Sequence, residues 1–178
     1  EQCLDIIRYR ETDMVLFQST SSTTSTPHSE ADGPMSGTDY MAHHNLRGSA
    51  CGYVFRKAIL HDLRFREGTL HEDEEFTPQL MLRAENVYST EGKAYHYRVR
   101  KDSITHKTDK RWRMRRLMDA EQVIYRLKNK ADHLPVSERI AMERRIAQLT
   151  MDYIYNVIRM THDATHLDRV LQRLTKHD

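Results

Sequence analysis

Residues 14–17, Met-Val-Leu-Phe, form an unbroken apolar run directly after the turn-forming Asp13. A strand that is apolar on both faces must be covered above and below, which confines the chain to folds with a layered sheet. The preceding "QCLDIIRYRE" has the spacing of a short amphipathic helix, with Leu4, Ile7 and Tyr9 expected inward. A helix feeding a buried strand is half of an α/β unit. The chain opens at Glu1 without a methionine, and nothing upstream supplies the other half. The expectation is a piece of a longer polypeptide.

The 178 residues suit one ordinary domain or a large piece of a bigger one, enough to bury a core without staples. A net charge of +2 with 30% charged residues argues against a molecule that binds polyanions as a whole. Two cysteines, Cys3 and Cys51, make no disulfide framework and suit a reducing compartment. No apolar run reaches the ~18 residues of a membrane span, and no signal-peptide pattern appears. The expected location is the cytoplasm, with peripheral contact to the inner face of the cell membrane.

Beyond the first strand, residues 19–34 are polar and low in complexity, and read as a surface loop or a flap over a site. Phe55, Ile59 and Leu63, at intervals of four, predict a helix over 53–63. The small residues 48–52 before it let backbone approach something closely, or form a plain turn. "FTPQLMLRAEN" predicts a helix with Phe76, Leu80 and Ala84 on one face and Pro78 in its first turn. "VYSTEGKAYHYRVR" reads as two extended segments around a Glu91-Gly92 turn. From Asp109 onward the pattern is helical. Leu117, Ala120, Ile124, Leu127 and Ala131 make one stripe, and Pro135 breaks it. Ser137 is placed to cap the next helix, which carries Ile146, Leu149, Tyr153, Val157 and Met160. A last helix carries Leu167, Val170, Leu171 and Leu174.

Four features hold chemistry-bearing side chains. "TLHEDEEF" at 69–76 places four carboxylates in a row. It is either the acidic first turn of a helix, where the macrodipole favours each charge by ~0.3–1 kcal/mol, or a site with a carboxylate poised to take a proton. The dipole accounts for Glu74 and Glu75, whereas Glu72 and Asp73 are expected in a loop before the helix. "HDATH" sets His162 and His166 four apart, a metal-ligand spacing on one helical face. With no third ligand and eleven histidines in the chain it reads as solvated helix surface, as do His43 and His44. Between Arg98 and Arg116, nine of nineteen residues are basic, with Trp112 among them. That stretch reads as a solvated helix start, a diphosphate site, or a contact with an anionic membrane over Lys107 to Arg116. No nucleic-acid fold signature accompanies it, and a nucleic-acid partner is not expected.

The order of motifs from Gly52 to Thr105 adds a family. An "FRK" segment, then "LRFREGTLHED", "EEFTPQLMLRA" and "YHYRVRKDSIT" resemble the C-terminal half of bacterial family-two glycosyltransferases of the GT-A fold. The resemblance implies an α+β arrangement: a partial GT-A-like sheet over residues 1–106, the acceptor-side part of the domain, then an α-helical extension over 107–178. It implies an inverting transfer of a sugar from a nucleotide-diphosphate donor to an acceptor hydroxyl, in cell-surface polysaccharide or glycolipid synthesis. The acceptor would be a carbohydrate or lipid-linked. By the same resemblance Asp73 is the general base and Glu72 its partner. Cys51 and Gly52 would border donor sugar or acceptor, where many relatives carry a Trp and this chain has only small residues. Arg98, Arg100 and Ser103 would approach the diphosphate or acceptor. A divalent cation, manganese or magnesium, is implied for the parent enzyme, but no Asp-x-Asp occurs in this chain and no metal ligand is assigned within it. The alternative is a non-catalytic helical interaction or membrane-docking module made of residues 107–178.

Overall fold

The computed structural model describes residues 2–22, 30–98 and 109–176. The Met14–Phe17 run opens strand β1 (Met14–Thr20), which lies inside a four-stranded sheet of order β2-β4-β1-β3. Strand β2 is Ala31–Met35, β3 is Tyr53–Phe55 and β4 is Val87–His96. β4 runs parallel to β1, with Met14 opposite Val87, while β2 and β3 are antiparallel to their neighbours. Asp13 sets this register: its Oδ2 accepts from the backbone N–H groups of Glu85 (2.9 Å) and Asn86 (3.1 Å) just before β4.

Alternation along the strands separates two faces. Val15 and Tyr88 point to one side and are covered by helix α1 (Gln2–Tyr9) through Ile6, Cys3 and Ile7. The face of α1 turned to the sheet therefore differs from expectation. Ile6 is buried, whereas Leu4 and Tyr9 are 49% and 82% exposed. Met14 and Val87 point to the other side, into the main core. Three helices close that core first: α2 (Gly37–His43), α3 (Glu72–Met81) and α4 (Lys110–Ala131). Two more follow, α5 (Val136–Thr161) and α6 (Ala164–Thr175). The architecture is α+β, a mixed sheet with helices on both faces.

The helical stripes lie where the periodicity puts them, except that Leu171 of α6, expected in the last stripe, is exposed because α6 turns only its Val170 and Leu174 side fully into the core. Leu117, Ile124, Leu127 and Ala131 of α4 are buried, as are Ile146, Tyr153 and Val157 of α5 and Val170 and Leu174 of α6. One apolar cluster runs from Met14 through Leu80 and Leu127 to Leu174, so residues on both sides of position 107 share a core. Glu121 of α4 pins the helices together from inside. Its carboxylate accepts from Tyr125 (3.1 Å), Tyr153 (3.0 Å) and the Arg173 guanidinium (2.7 and 3.0 Å). Arg144 of α5 donates to the Met41 and His44 carbonyls at the end of α2, where bare carbonyls and the dipole favour a cation.

Several local expectations are corrected. Residues 53–55 are strand, not helix, because their backbone pairs with Met14–Leu16 of β1; a 3-10 turn, Lys57–Leu60, follows. Residues 31–35, read as loop, form the edge strand β2. The Glu91-Gly92 dipeptide makes no turn: β4 continues through it, and the β1 register slips there, Leu16 facing Ser89 and Gln18 facing Lys93. That slip is a bulge that absorbs the turn-forming pair within one strand. Ser137 lies inside α5, whose N-cap position is Pro135 with no side-chain cap. His162 is the left-handed residue that ends α5 (φ 50°), and His166 lies in α6, so the two share no helical face.

Candidate active site

The four carboxylates 72–75 are the first turn of α3. Glu72 and Asp73 are thus helical, not part of a preceding loop. The helix begins early because its entry is held from outside. Gly68 turns with φ 73°, and its carbonyl accepts from Arg115 of α4 (2.9 Å). The Leu70 N–H donates to Asp119 of α4 (2.9 Å), and His71 takes a left-handed conformation (φ 63°, ψ 30°) immediately before Glu72. With the helix starting there, Pro78 falls well inside it rather than in the first turn, and α3 ends three residues later.

Helical geometry then sends the four acids in different directions. Glu75 is buried and bonds Arg66 (3.2 Å) and Arg126 of α4 (2.9 Å). Glu74 pairs with Arg145 of α5, a side chain that is only 5% exposed and also donates to the Leu46 carbonyl (2.6 Å). These two carboxylates tie α3 to the helical layer as well as favouring its N-terminus. Glu72 lines a polar groove beside Arg64, Arg66 and Lys130. Among the described residues neither Glu72 nor Asp73 is in an ion pair.

Asp73 lies one turn before Thr77, and Thr77 faces β3. The Thr77 hydroxyl donates to the Gly48 carbonyl (2.6 Å) and meets the Tyr53 hydroxyl at 3.0 Å. Since the single Thr77 proton goes to Gly48, Tyr53 is the donor to Thr77. Burial raises the Tyr53 phenol, with the charges of Asp73 and Cys51 adding to the rise. Asp73 and Cys51 thus lie near enough to Tyr53 for their charges to act on it, and the loop 48–52 before Tyr53 is held to the sheet, its Gly52 carbonyl accepting from Phe17 of β1 (2.9 Å). Burial and then the neighbouring Glu72 charge lift the Asp73 carboxyl above its ordinary value of 3.8, against the Glu74 N–H that bonds it at 2.9 Å. His71 is held below its ordinary 6.5 by burial and by the Arg116 charge, which keeps the imidazole neutral near pH 7. Behind His71 and Glu74 lies a cavity of about 180 Å³ between α4 and α5, with Arg116, Leu117, Tyr153 and Asn156 on its walls.

Of the residues singled out from sequence, the fold brings Asp73, Glu72, Cys51 and Gly52 to this corner. Arg98 is exposed two residues beyond the end of β4, and Arg100 and Ser103 lie outside the described residues. Lys107 does too. Tyr53, Thr77 and Arg145 were not singled out. Tyr53 carried a helical signal that hid its strand, and nothing local marks Thr77 or Arg145 as partners of residues more than twenty positions away. Gly48 is where the close approach read from the small-residue cluster occurs: a Cβ there would collide with the Glu74 carboxylate. Among the described residues no group of three His, Cys, Asp or Glu converges as a metal site.

No family model matches this chain, and no curated protein does. Among the described residues no helix is long and apolar enough to cross a membrane.

Proposed function

We propose that the corner between α3, β3 and the loop 48–52 is the acceptor side of an inverting glycosyltransferase site, with Asp73 as general base. The observation that supports this best is the separation of the four acids. Glu74 and Glu75 are bound to arginines, while Asp73 is half-buried, near Tyr53, and in no ion pair among the described residues. A carboxylate whose proton affinity is raised by burial, and which has no cation to neutralise it, suits proton abstraction.

In the proposed reaction an acceptor hydroxyl oxygen attacks the anomeric carbon of a nucleotide-diphosphate sugar from the face opposite the diphosphate. The new C–O bond forms as the bond to the diphosphate oxygen breaks, and the electron pair leaves with the diphosphate. The acceptor proton passes to the Asp73 carboxylate. Glu72 keeps the local potential negative and so makes Asp73 a stronger base. The order of motifs along Gly52 to Thr105 supports the same reading by resemblance. The test is sugar transfer from nucleotide-diphosphate donors by the polypeptide that carries this sequence, with and without Asp73→Asn. Transfer that survives the substitution would remove Asp73 from the chemistry.

A second reading rests on α4. Its first turn contains Lys110, Arg111 and Arg113 and no acid, an arrangement the dipole disfavours. Arg111 and Met118 are both exposed, seven residues apart on one face. A helix with that face suits docking to an anionic membrane surface or to an acidic partner.

A further inference from the structure

We propose that the groove between the start of α4 and the α5–α6 corner binds an amphiphilic phosphate, a phosphate-type anion with an apolar chain attached. The groove has a volume of about 430 Å³ and two unlike walls. Lys110, Arg113 and His166 supply the basic wall, and Met114, Leu117 and Met160 the apolar one. Among the described residues neither Lys110 nor Arg113 is in an ion pair. Two cations on successive turns of one helix can take two oxygens of the same phosphate, and charge-assisted hydrogen bonds of that kind are the strong ones.

The acid that also lines the groove does not fill this role. Asp163 caps α6, with Oδ1 accepting from the Thr165 N–H (2.9 Å) and the His166 N–H (3.2 Å), so its charge is directed to the helix. On the apolar side the wall is part of the helical core, with Leu117 buried in it and Met160 packed against it. Leu117 and Met160 are also part of the lining of the cavity between α4 and α5. A chain laid over Met114 would rest against Leu117 and Met160 and leave water on that side. A free phosphate would use only the basic wall, and a neutral amphiphile only the apolar one. Such a ligand would be recognised whether or not Asp73 acts as a base.

Isothermal titration calorimetry reads binding at the groove directly. Three probes separate the sources: dodecyl phosphate below its micelle concentration, dodecyl maltoside with the same chain and no charge, and inorganic phosphate. Saturable binding of dodecyl phosphate, about tenfold or more tighter than either control, is the expected result. Lys110→Glu/Arg113→Glu should weaken it by about tenfold or more while leaving far-ultraviolet circular dichroism unchanged, since both side chains are exposed. Met114→Gln should weaken dodecyl phosphate and leave inorganic phosphate unaffected. If the double reversal unfolds the chain, Lys110→Gln and Arg113→Gln take its place, each weakening dodecyl phosphate several-fold. Equal affinity for dodecyl maltoside or for inorganic phosphate, or wild-type affinity in the charge variants, would overturn the proposal.

Discussion

Gly48 and Glu74 are in direct contact: the glycine backbone lies against the Glu74 carboxylate, and a Cβ at position 48 would overlap it and crowd the Arg145 guanidinium. The contact joins the loop before β3 to the first turn of α3 and, through Arg145, to α5. A carboxylate and an arginine that are both largely out of water lose a great deal if either is displaced.

Gly48→Ala is expected to destabilise the protein by about 1–3 kcal/mol, the usual cost of overpacking a tight interior. Urea unfolding followed by circular dichroism measures it. An unchanged midpoint would mean that the Glu74–Arg145 pair can slide aside without loss.

Asp73→Asn removes the proposed base but keeps the side chain's shape. Turnover in a sugar-transfer assay should fall by about 10²–10⁴-fold. Donor affinity should hardly change, because Asp73 is assigned to the acceptor side. A fall in donor affinity with turnover preserved would mean that Asp73 binds donor.

The pH profile adds a sign. A base works when ionised, and Asp73 is held above its ordinary 3.8 by burial and by Glu72. The rate should therefore rise with pH along a limb placed above that value. Glu72→Gln withdraws one of the two causes and should move the limb to lower pH. A limb that stays put in Glu72→Gln would separate the two acids.

Glu121 gives a prediction about folding. Burial pushes its carboxyl up, but hydrogen bonds from Arg173 and Tyr153 and the Arg173 charge outweigh this and hold it below its ordinary 4.5. A depressed carboxylate contributes stability that is fully present above the unfolded value and is lost as pH falls through the folded one. Glu121→Gln should cost about 1–3 kcal/mol at neutral pH, and its difference from wild type should shrink in acid below 4.5. Unfolding curves of both proteins across the acid range test this; a constant difference would show that the charge of Glu121 contributes nothing.

Membrane docking of the outward face of α4 predicts co-sedimentation with anionic vesicles and not with neutral ones, weakened by salt. Arg111→Glu, an exposed change away from the groove, should reduce it. Equal binding to both lipids would reject docking at this face.

Much of the helical layer was legible because its signal is local. In α4 and α5 residues that repeat at three and four, such as Leu127 and Val157, have no exposure left, and Ala120, Leu149 and Met160 of the same stripes are half-buried against them, since a helix shows its neighbours the same face every turn. The apolar run 14–17 announced β1 for a similar reason. What the spacing of Phe55, Ile59 and Leu63 could not reveal is that residues 53–55 have a strand beside them; an apolar interval of four is compatible with a strand followed by a turn, and only pairing with β1 decides. The same holds for Glu91 and Gly92, which would turn in isolation but are taken up as a bulge because Ser89 before them and Lys93 after them both pair with β1.

At the candidate site, the row of acids and the small residues before Tyr53 were visible in sequence. The division of labour among the acids was not. Each of Glu72, Asp73, Glu74 and Glu75 is a carboxylate in the first turn of one helix, and nothing local distinguishes them. Arg145, Arg126 and Arg66 come from 71, 51 and 9 residues away to take Glu74 and Glu75, and none reaches Asp73. Amino-acid type and period were enough to determine which segments are helical and which faces are apolar, because those follow from the chain's own geometry. That Glu74 and Glu75 find cations while, among the described residues, Glu72 and Asp73 do not depends on distant side chains brought within hydrogen-bond reach, and only the tertiary structure decided that.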